Sequence, residues 1–239
     1  MSVSAVVPAY NEVPRIARVL TVLLSHSAIS EVIVVDDGST DATSEVAKRS
    51  GVRTVIRHEK NRGKGAAMES GVIASQGDII FFCDADIVGL SHRIIDDILE
   101  PVMRGSFDMC IGERGSKVRA LGFGLTHTAL IDGQRALTRT LWERTPRKFK
   151  SHYEIETALN FFAARSPRGY TWRVFNEISQ VTKEEKIGLV LGTLSRYRMY
   201  WQIVSAQAHL SAARGAGHLV AQMRSSLARS VSKRSPVLT

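Results

Sequence analysis

The sequence predicts an α/β fold with a mostly parallel central sheet flanked by helices, and two features of the sequence support this prediction. Short apolar runs alternate, along the first half of the chain, with segments whose apolar residues have helical spacing. This alternation is typical of parallel strands joined by crossover helices. The chain, with 239 residues, is also long enough to bury a sizeable core.

Strands and helices are predicted to alternate regularly in the first half. Four segments predict the strands: SAVVPAY, whose apolar run ends at Pro8, and then EVIVVDD, GVRTVIRHE and IIFFCDAD. One helix is predicted from Pro14 to Leu24, a second near Ala42 to Ser50, and a third after the loop NRGKG. The resulting βαβαβαβ order predicts a parallel sheet.

The second half has a less regular pattern. The segment SHRIIDDILEPVMRG predicts a helix, and FDMCIGERG predicts a strand that ends at Gly112. The stretch GFGLTHTALIDGQRALTRTLWERTP predicts a loop, a short strand and a helix, and HYEIETALNFFAAR predicts a further helix. Partial alternation in YTWRVFNEISQV predicts a strand. From Lys183 to about Val231 we expect one or two helices, which would form a C-terminal helical extension.

The composition is that of an ordinary globular protein, with 44% hydrophobic and 23% charged residues. The first residues lack the pattern of a signal peptide, and no apolar stretch approaches the roughly 18 residues of a membrane span. Cys83 and Cys110 are the only cysteines in the sequence. We therefore expect a cytoplasmic protein with reduced thiols, in which Cys83 is buried by its apolar neighbours.

The net charge of +9 is unevenly placed along the chain. No acidic residue follows Glu185, whereas eight Lys and Arg residues do, among them Arg196 and Arg198 beside three aromatic residues. This asymmetry favours an anionic partner surface. Peripheral contact with the inner face of a membrane and packing against the catalytic part or a second subunit, as in a homodimer, both stay open. No nucleic-acid partner is expected, because the segment has no known reader motif.

Polar residues follow each of the four predicted strands of the first half. The carboxyl ends of parallel strands meet at one edge of a sheet, so these residues predict a shared polar site. Asp84 and Asp86 follow the fourth strand at positions i and i+2, and an extended chain would point both side chains to one side. Two carboxylates suit Mg²⁺ or Mn²⁺. The alternative is a helix N-cap with solvated acids.

The loop NRGKG precedes the third predicted helix and is both glycine-rich and basic. Its glycines would allow a phosphate to approach the backbone, and Lys64 could add a point charge. The spacing differs from that of a P-loop, and the first strand is not followed by a dinucleotide-binding fingerprint. The alternative for this loop is an ordinary turn with a surface lysine.

Four segments in order resemble family 2 glycosyltransferases of the GT-A fold: VVPAYNE, VIVVDDGSTDAT, NRGKGAAMESG and GDIIFFCDAD. The branch that contains dolichyl-phosphate mannose and glucose synthases is the most similar. The resemblance covers about residues 3 to 115 and weakens beyond them. It implies a catalytic domain over residues 1–185, with a nucleotide-sugar half at 1–115 and an acceptor half at 116–185. Residues 186–239 would form the basic helical extension.

The resemblance also implies roles on the donor side. Pro8, Tyr10 and Glu12 would line the pocket for the base and ribose. Asp37 would hydrogen-bond the base, while Asp36 would support the turn.

The same resemblance places Lys64 near the nucleotide. Asp84 and Asp86 would be the D-x-D pair that holds Mg²⁺ or Mn²⁺ against the diphosphate, with Asp86 counted among the catalytic residues. The metal would offset the repulsion between the carboxylates and stabilise the charge of the leaving diphosphate.

On the acceptor side, Arg114 and Arg135 correspond to arginines that bind an acceptor phosphate in related polyprenyl-phosphate enzymes; a surface arginine is the alternative for each. Glu156 would act as an acceptor base or orient a hydroxyl, with Glu154 as its rival. Gln180 falls where relatives often have a histidine near the metal, so a third protein ligand is in doubt.

These expectations together predict a metal-dependent, inverting glycosyltransferase with a nucleotide-sugar donor, UDP-glucose being favoured. The acceptor would carry a phosphate or hydroxyl, as polyprenyl phosphate does. A small soluble acceptor such as a phosphoglycerate-like acid is the alternative, and a nucleotide-sugar binding module without catalysis is a further one. A sugar nucleotidylyltransferase is disfavoured, because PAYNE is not the glycine-rich loop such enzymes need after the first strand.

Overall fold

The computed structural model describes residues 1–115, 134–150 and 154–180, together with the backbone but not the side chains of Glu154 and Gln180. The predicted C-terminal extension lies outside these residues. Within the described part, no helix is both long enough and apolar enough to cross a membrane.

Nine strands are described. They are β1 (Val3–Ala9), β2 (Glu31–Asp36), β3 (Thr54–Arg57), β4 (Ile79–Phe82), β5 (Ile87–Val88), β6 (Met109–Arg114), β7 (Arg135–Thr138), β8 (Tyr170–Phe175) and β9 (Ser179–Gln180). The helices are α1 (Ile16–Leu24), α2 (Thr43–Arg49), α3 (Lys64–Ala74), α4 (His92–Met103), α5 (Arg139–Arg144) and α6 (Glu154–Ala163), with a 3-10 turn at Arg147–Phe149.

Seven of the strands form one sheet in the order β3-β2-β1-β4-β7-β6-β8. All neighbouring pairs are parallel except those of β7, which runs antiparallel to both β4 and β6. The prediction of a mostly parallel sheet flanked by helices is therefore confirmed. The remaining strands, β5 and β9, form a separate antiparallel pair.

Helices cover both faces of the sheet, which explains why its strands are nearly continuous apolar runs. Apolar residues of α1, α2 and α4 pack on one face with the side chains of Val3 and Val7 of β1. Those of α3, α5 and α6 pack on the opposite face with Val6 and Phe82. Because side chains alternate along a strand, successive residues of β1 serve the two cores in turn.

Two local expectations were wrong. β6 does not end at Gly112 but continues to Arg114, because pairing with β8 extends through Phe175. The chain also does not stay extended between the two aspartates that follow β4, because Ala85 and Asp86 form a turn. The i, i+2 argument for side chains that point the same way therefore does not apply there.

Both cysteines are free and buried, so the expectation for Cys83 is confirmed. Burial raises the pKa of the Cys83 thiol well above its usual value, and the nearby carboxylates of Asp84 and Asp86 raise it further. Burial also raises the pKa of Cys110, to about 12. Both thiols are therefore protonated near neutral pH.

Candidate functional site

The loops that follow β1 and β2 are joined by a reciprocal set of hydrogen bonds. Asn11 adopts a left-handed backbone conformation with a φ of 56°, and its N–H donates to the Ser39 hydroxyl at 2.9 Å. Its side-chain oxygen accepts from the N–H of Thr40, also at 2.9 Å. Asparagine tolerates this region of φ better than most residues do. The two loops are therefore fixed to each other at the edge of the sheet.

Asp36 is the last residue of β2, Asp37 follows it, and their carboxylates bind different loops. Asp36 is fully buried and accepts hydrogen bonds from the N–H of Ser39, at 2.8 Å, and from the hydroxyl of Ser44. These contacts agree with the expectation that Asp36 supports the turn.

Asp37 binds the loop that leads into α3. Its Oδ1 atom accepts from the N–H of Arg62 at 2.9 Å, and its Oδ2 atom accepts from the N–H of Gly63 at 2.7 Å. The Nδ1 atom of His58 lies 2.6 Å from Oδ1. With only 3% of its surface exposed, Asp37 fixes this loop against the end of β2.

Lys64, the first residue of α3, connects the turn after β4 to α6. Its Nζ atom lies 2.7 Å from Oδ1 of Asp84 and 2.8 Å from Oε1 of Glu156. The sequence predicted a functional role for each of these three residues, and the structure brings them together. Glu156 belongs to α6, which is 92 residues away from Lys64 along the chain.

The ammonium group of Lys64 is held in its charged form. Burial lowers the pKa of Lys64, but the carboxylates of Asp84 and Glu156 raise it by more, so the pKa lies above its ordinary value. Both carboxylates are largely shielded from water, with 12% of the Asp84 side chain and 3% of the Glu156 side chain exposed. The cluster therefore contains a cation between two acids in a poorly solvated position.

The remaining contacts around the D-x-D pair come from the second half of the chain. The side-chain amide of Gln134, just before β7, donates to Oδ2 of Asp84 at 3.3 Å. Asp86 is buried, with 4% of its surface exposed. In the β5–β9 pair, Gln180 lies opposite Ile87, the residue after Asp86. The backbone of position 180 is therefore beside the D-x-D turn.

The two arginines expected on the acceptor side occupy different environments. Arg135 is fully buried, and its guanidinium donates to the backbone oxygen of Glu156 at 3.4 Å and to the side chain of Asn160 at 3.2 Å. It thus holds α6 against β7 and is closed off from solvent, so the alternative of a surface arginine is wrong for Arg135. Arg114, at the end of β6, is partly exposed.

The three residues expected to line the base and ribose pocket lie together after β1 or at its end. Pro8 is half-buried within β1, and Tyr10 is exposed. Glu12 is buried, and its carboxylate accepts from the guanidinium of Arg15 at 3.1 Å.

A divalent metal ion fits this site by the chemistry of its donors. Within the described ranges, no group of three or more His, Cys, Asp or Glu residues could hold a metal on its own. Mg²⁺, however, is usually bound through one or two carboxylates together with substrate phosphates and water. Oδ1 of Asp84 is paired with the ammonium of Lys64, so a metal ion held by Asp84 would share that carboxylate with the ammonium. Asp84 and Asp86 would be the protein ligands.

Comparison with known proteins assigns the family. The model of the family described as "Glycosyl transferase family 2" matches residues 4–178, which is most of the chain. The chain belongs to glycosyl transferase family 2. The resemblance noted in the sequence is thereby confirmed, and so is its GT-A fold, since the similar solved structures are glycosyltransferases of that fold.

The family 2 chain is similar to curated proteins with different acceptors. It is 42% identical to human dolichyl-phosphate beta-glucosyltransferase over 98 residues, which are 35% of this chain and 30% of that protein. It is 33% identical to glucosyl-3-phosphoglycerate synthase from Mycobacterium tuberculosis over 112 residues, which are 44% of this chain and 35% of that protein. The chain thus spans less than half the length of these curated relatives.

A solved structure of the Mycobacterium tuberculosis glucosyl-3-phosphoglycerate synthase superposes on the family 2 chain with a TM-score of 0.73. The two chains are 22% identical, and the superposition covers 87% of this chain and 79% of the other. That crystal contained Mn²⁺, UDP-glucose and glycerol 3-phosphate. At this identity the likeness is one of fold.

The sequence analysis missed His58 and Gln134, which contact the predicted site residues Asp37 and Asp84. His58 directly follows β3, and attention to every polar side chain at a strand end would have found it. Gln134 had no such signal, because its contact depends on how β7 inserts between β4 and β6.

Proposed function

We propose that this family 2 chain is a metal-dependent, inverting glycosyltransferase that takes its sugar from a nucleotide-diphospho-sugar, with UDP-glucose favoured. The observation that carries the proposal is the convergence of Lys64, Asp84 and Glu156, which come from the donor half and the acceptor half of the chain. The solved structure with Mn²⁺ and UDP-glucose supports the choice of metal and donor. The acceptor would carry a phosphate or a hydroxyl.

On the donor side, Asp37 and the residues after β1 would bind the nucleoside. Tyr10 is exposed and can offer its ring to a base or ribose, with Pro8 and Glu12 beside it. The carboxylate of Asp37 accepts three hydrogen bonds, and a carboxylate has about four acceptor sites. One acceptor site would therefore be available for an N–H of the base.

On the diphosphate side, Asp84 and Asp86 would hold the metal ion, and Lys64 would add positive charge at the start of α3. When bound, the metal would act as a Lewis acid towards the negative charge that develops on the leaving diphosphate. Lys64 would contribute to the same stabilisation, because its ammonium lies beside the Asp84 carboxylate at the start of α3. Glycosyl transfer passes through an oxocarbenium-like state, so an easier departure of the diphosphate lowers the barrier.

On the acceptor side, Glu156 would orient the attacking group or take its proton, and Arg114 would bind an acceptor phosphate. The carboxylate of Glu156 is fixed by Lys64, and its helix is fixed by Arg135. Arg135 would thus act by positioning α6 and not by touching the acceptor. A partly exposed guanidinium such as that of Arg114 suits bidentate binding of phosphate.

The test is a transfer assay with labelled UDP-glucose and two acceptors, a polyprenyl phosphate and 3-phosphoglycerate, each with Mn²⁺ or with a chelator. We expect a glucosylated product from one acceptor with Mn²⁺ and none with the chelator. Other UDP- and GDP-sugars in parallel reactions identify the donor. Absence of both product and release of the nucleoside diphosphate from every donor with Mn²⁺ would contradict the proposed function and favour a non-catalytic nucleotide-sugar binding module.

A soluble acceptor is the second candidate, and the 33% identity to the phosphoglycerate synthase favours it. The 42% identity to the dolichyl-phosphate enzyme favours the lipid acceptor, and each match covers less than half of this chain. The two acceptors share a phosphate group, which is the part that Arg114 would bind. The product formed in the assay distinguishes them.

We propose further that residues 1–185 form the catalytic domain and that residues 186–239 contact an anionic membrane surface. The support is the charge pattern, since eight basic residues and no acidic ones follow Glu185. Each Lys or Arg near such a surface contributes roughly 1 kcal/mol. The test is sedimentation of the full chain with liposomes that contain or lack anionic lipid, beside a full-length variant with Arg196, Arg198, Lys233 and Arg234 changed to Gln.

Binding to the anionic liposomes that weakens in the variant and at high salt is the expected result. Equal, negligible sedimentation of both proteins would contradict the membrane contact. It would favour packing of this segment on the catalytic domain or on a second subunit.

A further inference from the structure

The side chain of His58 bridges Asp37, which directly follows β2, and Ser70, in the middle of α3. Its Nδ1 atom lies 2.6 Å from Oδ1 of Asp37, and its Nε2 atom lies 2.9 Å from the hydroxyl oxygen of Ser70. The backbone N–H of His58 also donates to the carbonyl oxygen of Asp36 at 2.9 Å. With 7% of its surface exposed, His58 is held on three sides.

The direction of these hydrogen bonds follows from the partners. A carboxylate only accepts, so the Nδ1 atom of His58 must carry the proton that is donated to Asp37. In a neutral ring the Nε2 atom then accepts from the Ser70 hydroxyl, and in a charged ring it donates to the same oxygen. Ser70 can fill either role, so the connection to Asp37 is kept in both forms of the ring.

The two ends of this connection fix α3 at two points. Asp37 binds the N–H groups of Arg62 and Gly63, immediately before Lys64 begins the helix. Ser70 lies nearly two turns further along the same helix. A helix held at its start and near its middle has a defined position and rotation. The rotation matters because it determines where the ammonium of Lys64 lies.

The arrangement of Ser70, His58 and Asp37 resembles a hydrolytic triad, but its setting does not suit nucleophilic catalysis. Ser70 lies inside α3, where backbone N–H groups are engaged by carbonyl oxygens one turn earlier. No backbone donor there is left to stabilise an oxyanion, as acyl transfer requires. The contacts suit positioning.

We infer that His58 is a positioning residue for the nucleotide donor: it fixes the carboxylate of Asp37 and, through the loop and helix that follow, the ammonium of Lys64. The inference rests on the proposed function, since it assumes that a nucleotide binds at these strand ends. His58 itself need not touch the nucleotide. Its loss should weaken donor binding more than it slows the reaction of the bound donor.

Two substitutions separate the two contacts of the ring. In His58→Asn, the side-chain amide can replace Nδ1 as the donor to Asp37, whereas in His58→Gln it can reach only the position of Nε2, near Ser70. We expect His58→Gln to raise the Kd of UDP, measured by calorimetry with Mn²⁺, by at least about tenfold. His58→Asn should restore most of the affinity, to within about threefold of the wild type.

Kinetics supply a second readout. For His58→Gln, the donor KM should rise in parallel with the Kd, while kcat at saturating donor stays within about threefold of the wild-type value. The matched control is His26→Gln, since His26 is also a buried histidine but lies away from Asp37. The Nδ1 atom of His26 accepts from the backbone N–H of Ala28 at 3.2 Å. The control should lower the melting temperature and leave the Kd of UDP unchanged.

Ser70→Ala keeps the inference testable if His58→Gln does not fold. It removes the far contact of the ring and should raise the Kd of UDP by about threefold. UDP affinities equal to the wild type in His58→Gln, or in Ser70→Ala when the former does not fold, would overturn the inference. So would equal losses in His58→Asn and His58→Gln. If the wild type itself binds no UDP with Mn²⁺, it is the proposed function that fails.

Discussion

The ammonium nitrogen of Lys64 lies 2.7 Å from a carboxylate oxygen of Asp84, so the first residue of α3 is bound to the turn that follows β4. The same nitrogen lies 2.8 Å from the carboxylate of Glu156 on α6. One side chain therefore connects the proposed diphosphate site with the proposed acceptor site. A change at Lys64 should affect both the stability of the protein and the chemistry of the site.

Lys64→Met should destabilise the protein, because it leaves two shielded carboxylates without their cation. Breaking a buried ion pair from one side typically costs about 3–5 kcal/mol in the free energy of unfolding. Lys64→Met/Glu156→Gln should recover part of that loss, since one of the uncompensated charges is then removed. Denaturant unfolding of Lys64→Met, Glu156→Gln and the double variant measures the coupling free energy between Lys64 and Glu156.

The matched control for this cycle is Lys48→Met, which removes an exposed lysine from α2 and should change stability by no more than about 0.5 kcal/mol. Equal stability of Lys64→Met and the wild type would show that the cluster does not depend on the lysine.

Much of this fold could be predicted from local sequence. The strands β1 to β4 appear as apolar runs, and α1, α2, α3 and α4 were expected from the sequence between and after them, whereas the short strand β5 was not predicted, because its pairing with β9 is distant in sequence. The position of β7 could not be predicted, since it is inserted between β4 and β6 by pairing over long distances. The burial of Arg135 follows from that insertion, because it is β7 that brings the guanidinium to Asn160.

The sequence named candidate residues for the site, but it did not predict the contacts between them. Asp84 and Lys64 could be named from the chemistry of their motifs, whereas Glu156 came only from the resemblance to family 2 enzymes, with Glu154 as its rival. The meeting of Asp84, Lys64 and Glu156 depends on α6 packing on the same face of the sheet as α3, which no local pattern specifies. The partners of Asp37 were also unexpected, because its carboxylate accepts hydrogen bonds from the backbone of the loop before α3.

Gly38→Ala should destabilise the turn after β2 more than an ordinary glycine substitution does. Gly38 has a φ of +76°, and an added Cβ would lie 2.5 Å from the backbone carbon of Lys60. Gly169→Ala is the matched control, because Gly169 has a φ of +64° with no atom within 4 Å of an added Cβ. The control should cost about 1–2 kcal/mol for the backbone conformation alone.

Gly38→Ala should exceed the loss in Gly169→Ala and should also weaken UDP binding, since the displaced loop leads to Lys64. Urea unfolding and calorimetry measure the two effects. Equal losses of stability in the two variants would mean that the contact between the added Cβ and the Lys60 backbone costs no free energy of unfolding.

Asp108 should make the stability depend on pH in the acidic range. Burial raises the pKa of Asp108, but hydrogen bonds from Ser166 and Arg168 lower it by more, so the folded-state pKa lies below the ordinary value. The Nε atom of Arg168 lies 2.9 Å from the Asp108 carboxylate. A lowered pKa contributes stability above the unfolded-state value of about 3.9, and this contribution is lost as pH falls through the folded-state value.

Asp108→Asn should therefore be less stable than the wild type at pH 7, and the difference should narrow below about pH 4. Asp97→Asn is the control, because Asp97 pairs with Arg93 on the surface of α4 and should show little difference at any pH. Melting temperatures across pH 3 to pH 7 test this. A difference for Asp108→Asn that stays constant down to the lowest pH would contradict the assignment.

Asp86→Ala should abolish transfer while it leaves the fold intact, because the variant lacks a proposed metal ligand at the diphosphate. Loss of one such electrostatic contact typically lowers the rate by about 100-fold or more. Glu143→Ala, which removes an exposed acid from α5, is the matched control and should keep wild-type turnover. Wild-type turnover in Asp86→Ala with Mn²⁺ present would contradict the metal-binding role.

The most direct test of metal-dependent nucleotide-sugar binding is calorimetric titration of UDP into the wild type and Asp86→Ala, each with Mn²⁺ and with a chelator. The account predicts that the wild type binds UDP with Mn²⁺, and that affinity falls by at least about tenfold when either Mn²⁺ or the Asp86 carboxylate is removed. The contradictory result is a wild-type affinity for UDP that is the same with Mn²⁺ and with the chelator and is unchanged in Asp86→Ala.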